Sequence, residues 1–420
     1  MNEDAERWKL RQGLLRNELE GEGFNLSDLL PDSLGPHREA IAHLAIEEIA
    51  YALYISPHEG IRPPYGCLIS VREPEPNDAA TAVSDERQLM DARRLADGRE
   101  IILWRTIEGL LFTHDARLID ELSAIRFVQT VDGILVTRLA SGVIHVVSRM
   151  GVLTCDYREW KLRPSATKTL SRLAVSEFRL PTDGLTFASL LSLLELCCHR
   201  LSPLGIGATF VVPLHGSADG IVEALKDNGR SPVVELNAFD AGSQIQIRNL
   251  LAMSDGACIV AQDGSLLRYE AKLTFSETSV AHVQQHGGTR HTSAKRFTYD
   301  NEHVIAVVVS ADGPVTMFSD GCKLASFDTF RASHKWLLNN SYSQSVGLSE
   351  TQERLNCNQC GKHILLTSVR GPGGGLFEFA CPVCNRPISR GDDIVSGRLR
   401  PYKPWEESTA LTSFAFPDTD

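Results

Sequence analysis

The stretch from Asp255 to Gly321 constrains the fold more than any other part of the chain. It alternates apolar runs that are typical of buried strands with polar clusters beginning at Asp255, Gly288 and Ser310, and each cluster adjoins an apolar run. Because a sheet brings the ends of its strands to a common edge, polar residues at such positions are well placed to meet a ligand. The pattern predicts a nucleotide site at the edge of a sheet.

The residues before this stretch extend the same unit. Residues 206–214, IGATFVVPL, form a continuous apolar run next to glycine, which is typical of a buried central strand. Helices are expected at residues 187–201, 220–229, 243–253 and, as a closing helix, 324–338. Strands interleaved with helices predict an α/β (α+β) domain over residues 185–338.

The first 180 residues predict a β-rich accessory domain. A helix is expected at residues 38–54 and a strand at 65–71. From residue 101 onward, short apolar runs alternate with glycine-containing turns, and each run, including RFVQTV at 126–131, is expected to be a strand. This region shows no metal-ligand spacing and no glycine-rich phosphate loop, so a sensor or accessory role is favoured over a second active site.

Charge and composition limit the partners. The chain has 420 residues and a formal net charge of −11, which argues against broad nonspecific binding to DNA or to an anionic membrane. Its start is neither a signal peptide nor a membrane span, so a cytoplasmic protein with no membrane partner is expected. Cys197, Cys198 and Cys258 lie among apolar residues and are expected to be small buried core residues in a reducing compartment.

Two C-x2-C pairs lie near the end of the chain, Cys357 with Cys360 and Cys381 with Cys384. Four thiolates at this spacing can surround one Zn²⁺ tetrahedrally, and a short ribbon with little core needs such a metal to fold. Because four protein ligands leave no open position, the zinc is expected to be structural. The predicted segments are a linker at 339–354, a zinc ribbon at 355–400 and a tail at 401–420.

The partner of the ribbon stays open. A ribbon can bind nucleic acid, protein or neither. The arginines near the second cysteine pair, Arg386, Arg390, Arg398 and Arg400, are too few to choose among these partners.

The polar clusters suit phosphate and metal chemistry. An aspartate such as Asp255 at the mouth of a sheet can hold a divalent cation through oxygen. Gly288 and Thr289 before a helix start would offer free backbone amides and a hydroxyl to an anion, with Arg290 and His291 beside them. The same residues also fit a turn and a helix cap with a solvated arginine, and the pattern alone does not decide between the two.

The order of these motifs resembles the diadenylate cyclase domain, the module shared with the DNA-integrity scanning protein. The resemblance covers roughly residues 185–335 and rests on DGA at 255–257, GTRHTSA at 288–294 and a strand ending in SADGPV at 310–315. It implies a mixed β-sheet flanked by helices. It also implies condensation of two ATP molecules into cyclic di-AMP with release of pyrophosphate, at the face between two copies of the domain in a homodimer or higher homo-oligomer.

The resemblance further implies a role for each site residue. Asp255 would bind the catalytic Mg²⁺ or Mn²⁺ and help activate the ribose 3′-hydroxyl, with Arg290 and His291 completing the catalytic set. The nucleotide-binding residues would be Gly256, Ala257, Gly288, Thr289, Arg290, His291 and Ser310. The sequence departs from the family at Ala311, where an acidic residue is common, and at Thr292, where arginine is frequent.

Two functional hypotheses result. In the first, the chain is a metal-dependent diadenylate cyclase with an N-terminal sensor-like region and a structural zinc ribbon. In the alternative, the same domain is a catalytically inactive nucleotide-binding sensor protein, and the ribbon recruits DNA or another protein.

Overall fold

The computed structural model divides the chain into two compact units, residues 1–169 with 328–341 and residues 170–327 with 342–420. The described residues are 2–22, 24–55, 62–75, 80–83, 88–156, 159–166, 184–213, 220–221, 229–283, 285, 287–301, 304–311, 314–327, 330–331 and 349–401. Within these ranges, no helix is long and apolar enough to cross a membrane.

The first unit is built on a nine-stranded sheet. Its helices are α1 (Asn2–Gly21), α2 (His37–Tyr54), α3 (Leu89–Leu95) and α4 (Glu121–Val131), with 3-10 turns at Leu26–Leu29 and Asp32–Leu34. Its strands are β1 (Tyr65–Ser70), β2 (Ala80–Val83), β3 (Ile101–Thr106), β4 (Leu111–Asp115), β5 (Gly133–Arg138), β6 (Ile144–Ser148), β7 (Gly151–Asp156), β8 (Glu159–Pro164) and the late strand β15 (Phe330–Arg331). The strand order is β15-β8-β7-β6-β5-β1-β3-β4-β2, and only β1 and β3 are parallel neighbours.

Helices cover both faces of this sheet. Cys67 and Ile69 of β1 belong to the hydrophobic cluster that contains the buried side of α2, whereas Leu68 belongs to the cluster that contains Ile125 and Val128 of α4. Successive residues of a strand point to opposite faces, so β1 is buried on both sides and reads as a continuous apolar run. The β-rich N-terminal region, the helix at 38–54 and the strand at 65–71 are confirmed.

The prediction of a strand at residues 126–131 is wrong, because these residues form the second half of α4. Asp120 caps this helix by accepting a hydrogen bond from the Ser123 amide at 2.9 Å, and Ser123 accepts one from the Asp120 amide at 3.0 Å. This reciprocal capping box starts the helix, and Leu122, Ile125 and Val128 form its buried stripe. A short apolar run taken without its cap does not distinguish a strand from a helix.

The second unit contains a six-stranded sheet with order β11-β10-β9-β12-β13-β14. Its strands are β9 (Ala208–Pro213), β10 (Ala257–Val260), β11 (Leu266–Ala271), β12 (Val304–Val309), β13 (Val315–Ser319) and β14 (Cys322–Phe327). Its helices are α5 (Gly184–Leu196), α6 (Ala241–Leu251), α7 (Glu277–His282) and α8 (Thr289–Asp300), with a π-helical turn at Cys197–Leu201 and a 3-10 turn at Ser202–Leu204. The expected mixed α/β architecture is confirmed, and β9 and β12 are fully buried.

The expected closing helix at residues 324–338 is wrong over its described part. Residues 322–327 are β14, which pairs with β13, and residues 330–331 are β15. The hairpin turn between β13 and β14 consists of Asp320 and Gly321, whose φ angles are 48° and 74°. Two left-handed residues with the sequence Asp-Gly are typical of the tightest hairpin turn, so local turn chemistry overrides the helical pattern that follows. The expected helix at 220–229 lies mostly outside the described residues.

The C-terminal part of this unit is a three-stranded antiparallel sheet with order β16-β17-β18, formed by β16 (Ser349–Asn356), β17 (His363–Ala380) and β18 (Pro387–Pro401). The two cysteine pairs lie in the turns between its strands. Cys197, Cys198 and Cys258 are buried in the second unit, as expected. The predicted tail at 401–420 lies almost wholly outside the described residues.

Candidate functional site

The strand directions of the six-stranded sheet bring the polar clusters to one edge. β9 and β10 are parallel, with Thr209 opposite Ala257, so the residues just before both strands share an edge. β12 runs antiparallel to β9, with Val309 opposite Ala208, so the end of β12 meets that edge as well. Asp255 and Ser310 therefore lie at the same end of the strands, along the edge that contains the start of β9.

Gly207, immediately before β9, joins these clusters to helix α8. A Cβ atom at Gly207 would lie only 2.3 Å from Nη1 of Arg290 and 3.5 Å from the backbone nitrogen of Ala311. Nη2 of Arg290 in turn donates a hydrogen bond of 3.0 Å to Oδ1 of Asp255. The three clusters thus converge on the space that the missing side chain of Gly207 leaves open.

Sequence reasoning missed Gly207 as a site residue. It treated the glycines before β9 only as the boundary of a buried strand. The sequence does contain a local clue, since Gly205 and Gly207 alternate directly before the apolar run of β9. Isolated glycines beside a strand often mark a close approach of another group, which here is the guanidinium of Arg290.

The Asp255–Arg290 ion pair is accessible. The side chain of Asp255 is 89% exposed and that of Arg290 is 42% exposed. The hydrogen bond from Arg290, followed by one from the Gly256 amide, lowers the pKa of Asp255 below its ordinary value. Asp255 is therefore a charged, reachable carboxylate at neutral pH, and Mg²⁺ or Mn²⁺ sites commonly use one or two such carboxylates together with water and substrate phosphates.

The N-terminus of α8 faces the same edge. Asp120 and Asp240 cap α4 and α6 through their side chains, whereas the residue before α8 is Gly288, which has no side chain to satisfy the first-turn amides. Thr289 and Arg290 are exposed at this end. The positive end of the helix dipole favours an anion, and the arginine adds a fork of donors.

His291 is half-buried and packs against the sheet, whereas Thr289 and Arg290 are exposed. Its ring packs edge-on against Phe318 of β13 with 5.9 Å between ring centroids. A Cβ at Gly287, whose φ is 59°, would lie 3.6 Å from the His291 ring, so the chain turns closely over the histidine. This packing fixes the start of α8 on the sheet.

Gly256 and Ala257, which were predicted to line the nucleoside, can offer a ligand only backbone atoms. Ala257 is buried within the core of the sheet. A Cβ at Gly256, which has a φ of 115°, would lie 2.8 Å from Cα of Glu270, so this glycine is required by the close passage of β11. Ser310 is half-buried, and Asp312 and Gly313, which follow it in the third cluster, lie outside the described residues.

The four cysteines of the ribbon form a compact thiol cluster. Their sulfur atoms all lie within 4.8 Å of one another, with 3.7 Å between Cys357 and Cys384 and 3.6 Å between Cys360 and Cys381. These distances are too long for disulfide bonds. A tetrahedral ion with metal–sulfur bonds of about 2.3 Å separates its ligands by about 3.8 Å. The cluster therefore fits a metal ion held by four thiolates.

The two cysteine turns repeat one backbone design. In each turn, the residue four positions after the first cysteine donates its amide to that cysteine's carbonyl, Gly361 to Cys357 and Asn385 to Cys381, both at 2.8 Å. Both residues are left-handed, with φ of 70° and 59°. Amides of Cys360 and Gln359 point at the Cys357 sulfur, and although burial raises its pKa, the hydrogen bonds lower it to about 7. This turn therefore favours the thiolate of Cys357, whereas burial raises the pKa of Cys360 to about 11 and raises that of Cys381 as well.

The N-terminal unit contains a different charged cluster. Glu48 is completely buried, and its carboxylate accepts hydrogen bonds from Arg93 at 2.8 and 3.0 Å, from Arg105 at 2.8 Å and from the hydroxyl of Tyr65. Burial by itself raises the pKa of Glu48, but the charge and hydrogen bonds of Arg93, helped by Tyr65 and Arg105, lower it overall. The buried carboxylate is neutralised and hydrogen-bonded by the surrounding groups, so the cluster serves to stabilise the fold.

The fold and the sheet-edge site define an α/β nucleotide-binding domain that carries a four-cysteine ribbon. Residues 195–322 match the family described as "DisA bacterial checkpoint controller nucleotide-binding" (DAC), and residues 26–164 match "Probable sensor domain DACNK". Two regions of the chain thus match these family models, and the resemblance drawn from the sequence is confirmed. No curated protein and no solved structure matches the chain.

Proposed function

We propose that this protein is a diadenylate cyclase that condenses two ATP molecules into cyclic di-AMP with release of two pyrophosphates. The observation that carries the proposal is the convergence of Asp255, Arg290 and the turn after β12 around Gly207, within a region that matches the DAC family. A phosphoryl transfer of this kind needs an aligned hydroxyl, a metal and positive donors, and no covalent nucleophile.

In the proposed site, Asp255 holds the Mg²⁺ or Mn²⁺ ion. When bound, this metal supplies charge neutralisation and lowers the pKa of the attacking ribose 3′-hydroxyl. Thr289, Arg290 and His291, with the amides of the first turn of α8 beside Gly288, hold the triphosphate. Ser310 completes the phosphate site, and the backbone of Gly256 and Ala257 lies against the nucleoside.

Each bond-forming step uses the 3′-oxygen of one ATP to attack the α-phosphorus of the other, and pyrophosphate leaves. Two such steps close the ring. One copy of this edge offers a single Asp255 and a single phosphate cradle, which supports a site completed by a second copy of the chain. The protein is accordingly proposed to act as a homodimer or higher homo-oligomer, with the DACNK domain as its sensor.

We further propose that the ion in the ribbon is Zn²⁺ with a structural role. Four thiolates at tetrahedral separations favour this ion, and they leave no position for a substrate. Cytoplasmic location remains part of the proposal.

A catalytically inactive nucleotide-binding sensor protein is the second candidate. Two observations favour it: Ala311 replaces the acidic residue that is common in the family, and Arg290 pairs with the carboxylate that the metal needs. In this case the ribbon would recruit DNA or another protein.

The deciding experiment incubates the purified full-length protein with ATP and Mn²⁺ and measures cyclic di-AMP by chromatography with mass detection. Asp255→Asn is expected to abolish the product. A matched control is Asp263→Asn, because Asp263 is also followed by glycine but lies in the β10–β11 turn, where its carboxylate accepts the Ser265 amide at 2.9 Å. ATP binding without product at every protein concentration would establish the second candidate instead.

A further inference from the structure

The ribbon shares a hydrophobic cluster with the nucleotide-binding domain. The buried residues of this cluster come from both parts, and they are Val283, Tyr299 and Cys322 from the domain and Cys357, Cys360, Ile364, Cys381 and Val383 from the ribbon. The cysteine cluster is therefore packed against the last turn of α8, the helix whose first turn carries Arg290.

Tyr299 makes the most direct connection. Its hydroxyl donates a hydrogen bond of 3.2 Å to the backbone carbonyl of Cys360, and it lies 3.2 Å from Nδ1 of His282 at the end of α7. A phenol has one hydrogen to give, so Nδ1 of His282 is the donor in the second contact. Tyr299 thus links one of the two cysteine turns to helices α7 and α8.

Lys362 adds a second connection from the same cysteine turn. Its ammonium donates to the backbone carbonyl of Tyr299 at 3.1 Å and lies 4.7 Å from the centre of the Tyr299 ring. The carbonyl of Lys362 accepts the amide of Cys357 at 3.0 Å, so the lysine is part of the metal-binding turn. A cation at the end of a helix also stabilises its dipole.

Helix α8 connects the ribbon to the proposed nucleotide site, because its last turn contacts the ribbon and its first turn carries Arg290. Its 12 residues span about 18 Å as a single rigid element. Its last residue, Asp300, accepts hydrogen bonds from the amide and hydroxyl of Ser276 at 2.6 and 2.7 Å, which joins it to the start of α7. The same last turn is thereby held by α7 and by the ribbon, and the first turn presents Thr289 and Arg290.

We infer that the metal-bound ribbon anchors helix α8 and that Tyr299 is a positioning residue for the nucleotide site. The part of this inference that concerns nucleotide rests on the proposed function. The turn that presents Cys360 and Lys362 depends on the metal, because a ribbon with so little core folds by binding it. Loss of the metal therefore releases the last turn of α8 and loosens the phosphate cradle at its other end.

The first test is hydrogen–deuterium exchange of the full-length protein before and after the ribbon metal is removed with a chelator. Peptides covering residues 289–300 are expected to exchange at least tenfold faster in the metal-free protein. Peptides from β11 serve as the internal control, because β11 and β14 are the two outermost strands of the six-stranded sheet and lie farthest apart in its strand order. Faster exchange confined to the ribbon, with residues 289–300 unchanged, overturns the inference.

The second test replaces Tyr299 by Phe, which removes the hydroxyl and keeps the ring. The metal is expected to leave to a chelator about three- to tenfold faster than from the unmodified protein, as expected for the loss of one buried hydrogen bond. Tyr269→Phe on β11 is the control and should leave the release rate unchanged. Equal release rates in both variants would show that Tyr299 fills space without anchoring the metal-binding turn.

A reciprocal measurement separates positioning from simple packing. If α8 couples the two sites, ATP must raise the equilibrium affinity for the metal by the same factor by which the metal strengthens ATP binding. This effect should be present in the unmodified protein and reduced in Tyr299→Phe. ATP that binds without changing the equilibrium affinity for the metal contradicts the positioning role. If ATP fails to bind even the metal-loaded protein, the proposed function fails, and the exchange test still decides whether the ribbon anchors α8.

Discussion

The two units of this protein handle an acidic–basic pair in opposite ways. In the first unit, Glu48 is fully buried and Arg93 is 5% exposed, and each hydrogen-bonding position of the carboxylate is used within the protein. In the second unit, Asp255 is 89% exposed, and within the described part of the chain its side chain pairs with Arg290. The first arrangement stabilises a fold, whereas the second leaves oxygen atoms and donors available to a ligand.

The largest expected effect is on the stability of the first unit. Glu48→Gln removes the charge that compensates two buried arginines, and breaking such a pair typically costs about 3–5 kcal/mol. Unfolding by urea, followed through the fluorescence of the buried Trp104 and Trp160, measures the change. Glu47→Gln is the matched control, because Glu47 lies beside Glu48 and also pairs with Arg105, at 2.7 Å, but is partly exposed. Equal stability of the two variants would contradict the comparison.

The next effect concerns the exposed pair. Arg290→Ala is expected to weaken ATP binding about 10- to 100-fold, which corresponds to the loss of charged hydrogen bonds to phosphate. The free energy of unfolding should change by no more than about 1 kcal/mol, since the pair is exposed. Titration calorimetry and thermal unfolding give the two values. Arg248→Ala, on α6, is the control, because the side chain of this partly exposed arginine hydrogen-bonds to its neighbour Asn249.

A smaller effect is expected from Gly207→Ala. The new methyl group displaces the guanidinium of Arg290, so ATP binding should weaken less than in Arg290→Ala. In a background that already contains Arg290→Ala, the glycine substitution should have almost no further effect, because the two changes act through one contact. Gly220→Ala is the control, since a Cβ there meets nothing within 4 Å. Additive effects of the two substitutions would show that Gly207 acts independently of Arg290.

The smallest effect is the response to mild acid. The pKa of Glu48 is lowered in the folded protein, so its stabilising contribution is complete above its ordinary value of 4.5 and is lost as the pH falls through the lowered pKa. The stability difference between the unmodified protein and Glu48→Gln should therefore be constant from pH 8 to about pH 5 and should narrow below 4.5. Urea unfolding of both proteins between pH 8 and pH 4 tests whether the stability difference narrows in acid. A difference that grows in acid would show that the folded pKa is raised.

Much of the candidate site was predictable because its residues are adjacent in sequence. The turn before β10 contains Asp255, and the start of α8 contains Thr289, Arg290 and His291, so each motif could be recognised locally. Their meeting at one edge also follows from strand direction once the runs are assigned to one sheet. The glycines before β9 suggest a close approach, but the partner of Gly207 was not predictable, because its contact with Arg290 joins residues far apart in the chain.

Errors in the predicted fold occurred where a short pattern fits two structures. Residues 126–131 form a helix because the capping box at Asp120 starts one, and residues 322–327 form a strand because Asp320 and Gly321 close a hairpin. In both places the deciding interaction lies outside the apolar run itself.

The sequence by itself determined the organisation of this protein: a β-rich N-terminal region, an α/β domain with three polar motifs that resembles the DAC family, and two C-x2-C pairs. These features depend on periodicity and short spacings, which a linear chain carries directly. The tertiary structure alone decided that Glu48 is enclosed while Asp255 is open, and that Tyr299 joins α8 to the turn of Cys360. Burial and contact between distant residues arise only when strands pair and helices pack, because local preferences contain no information about which surfaces meet.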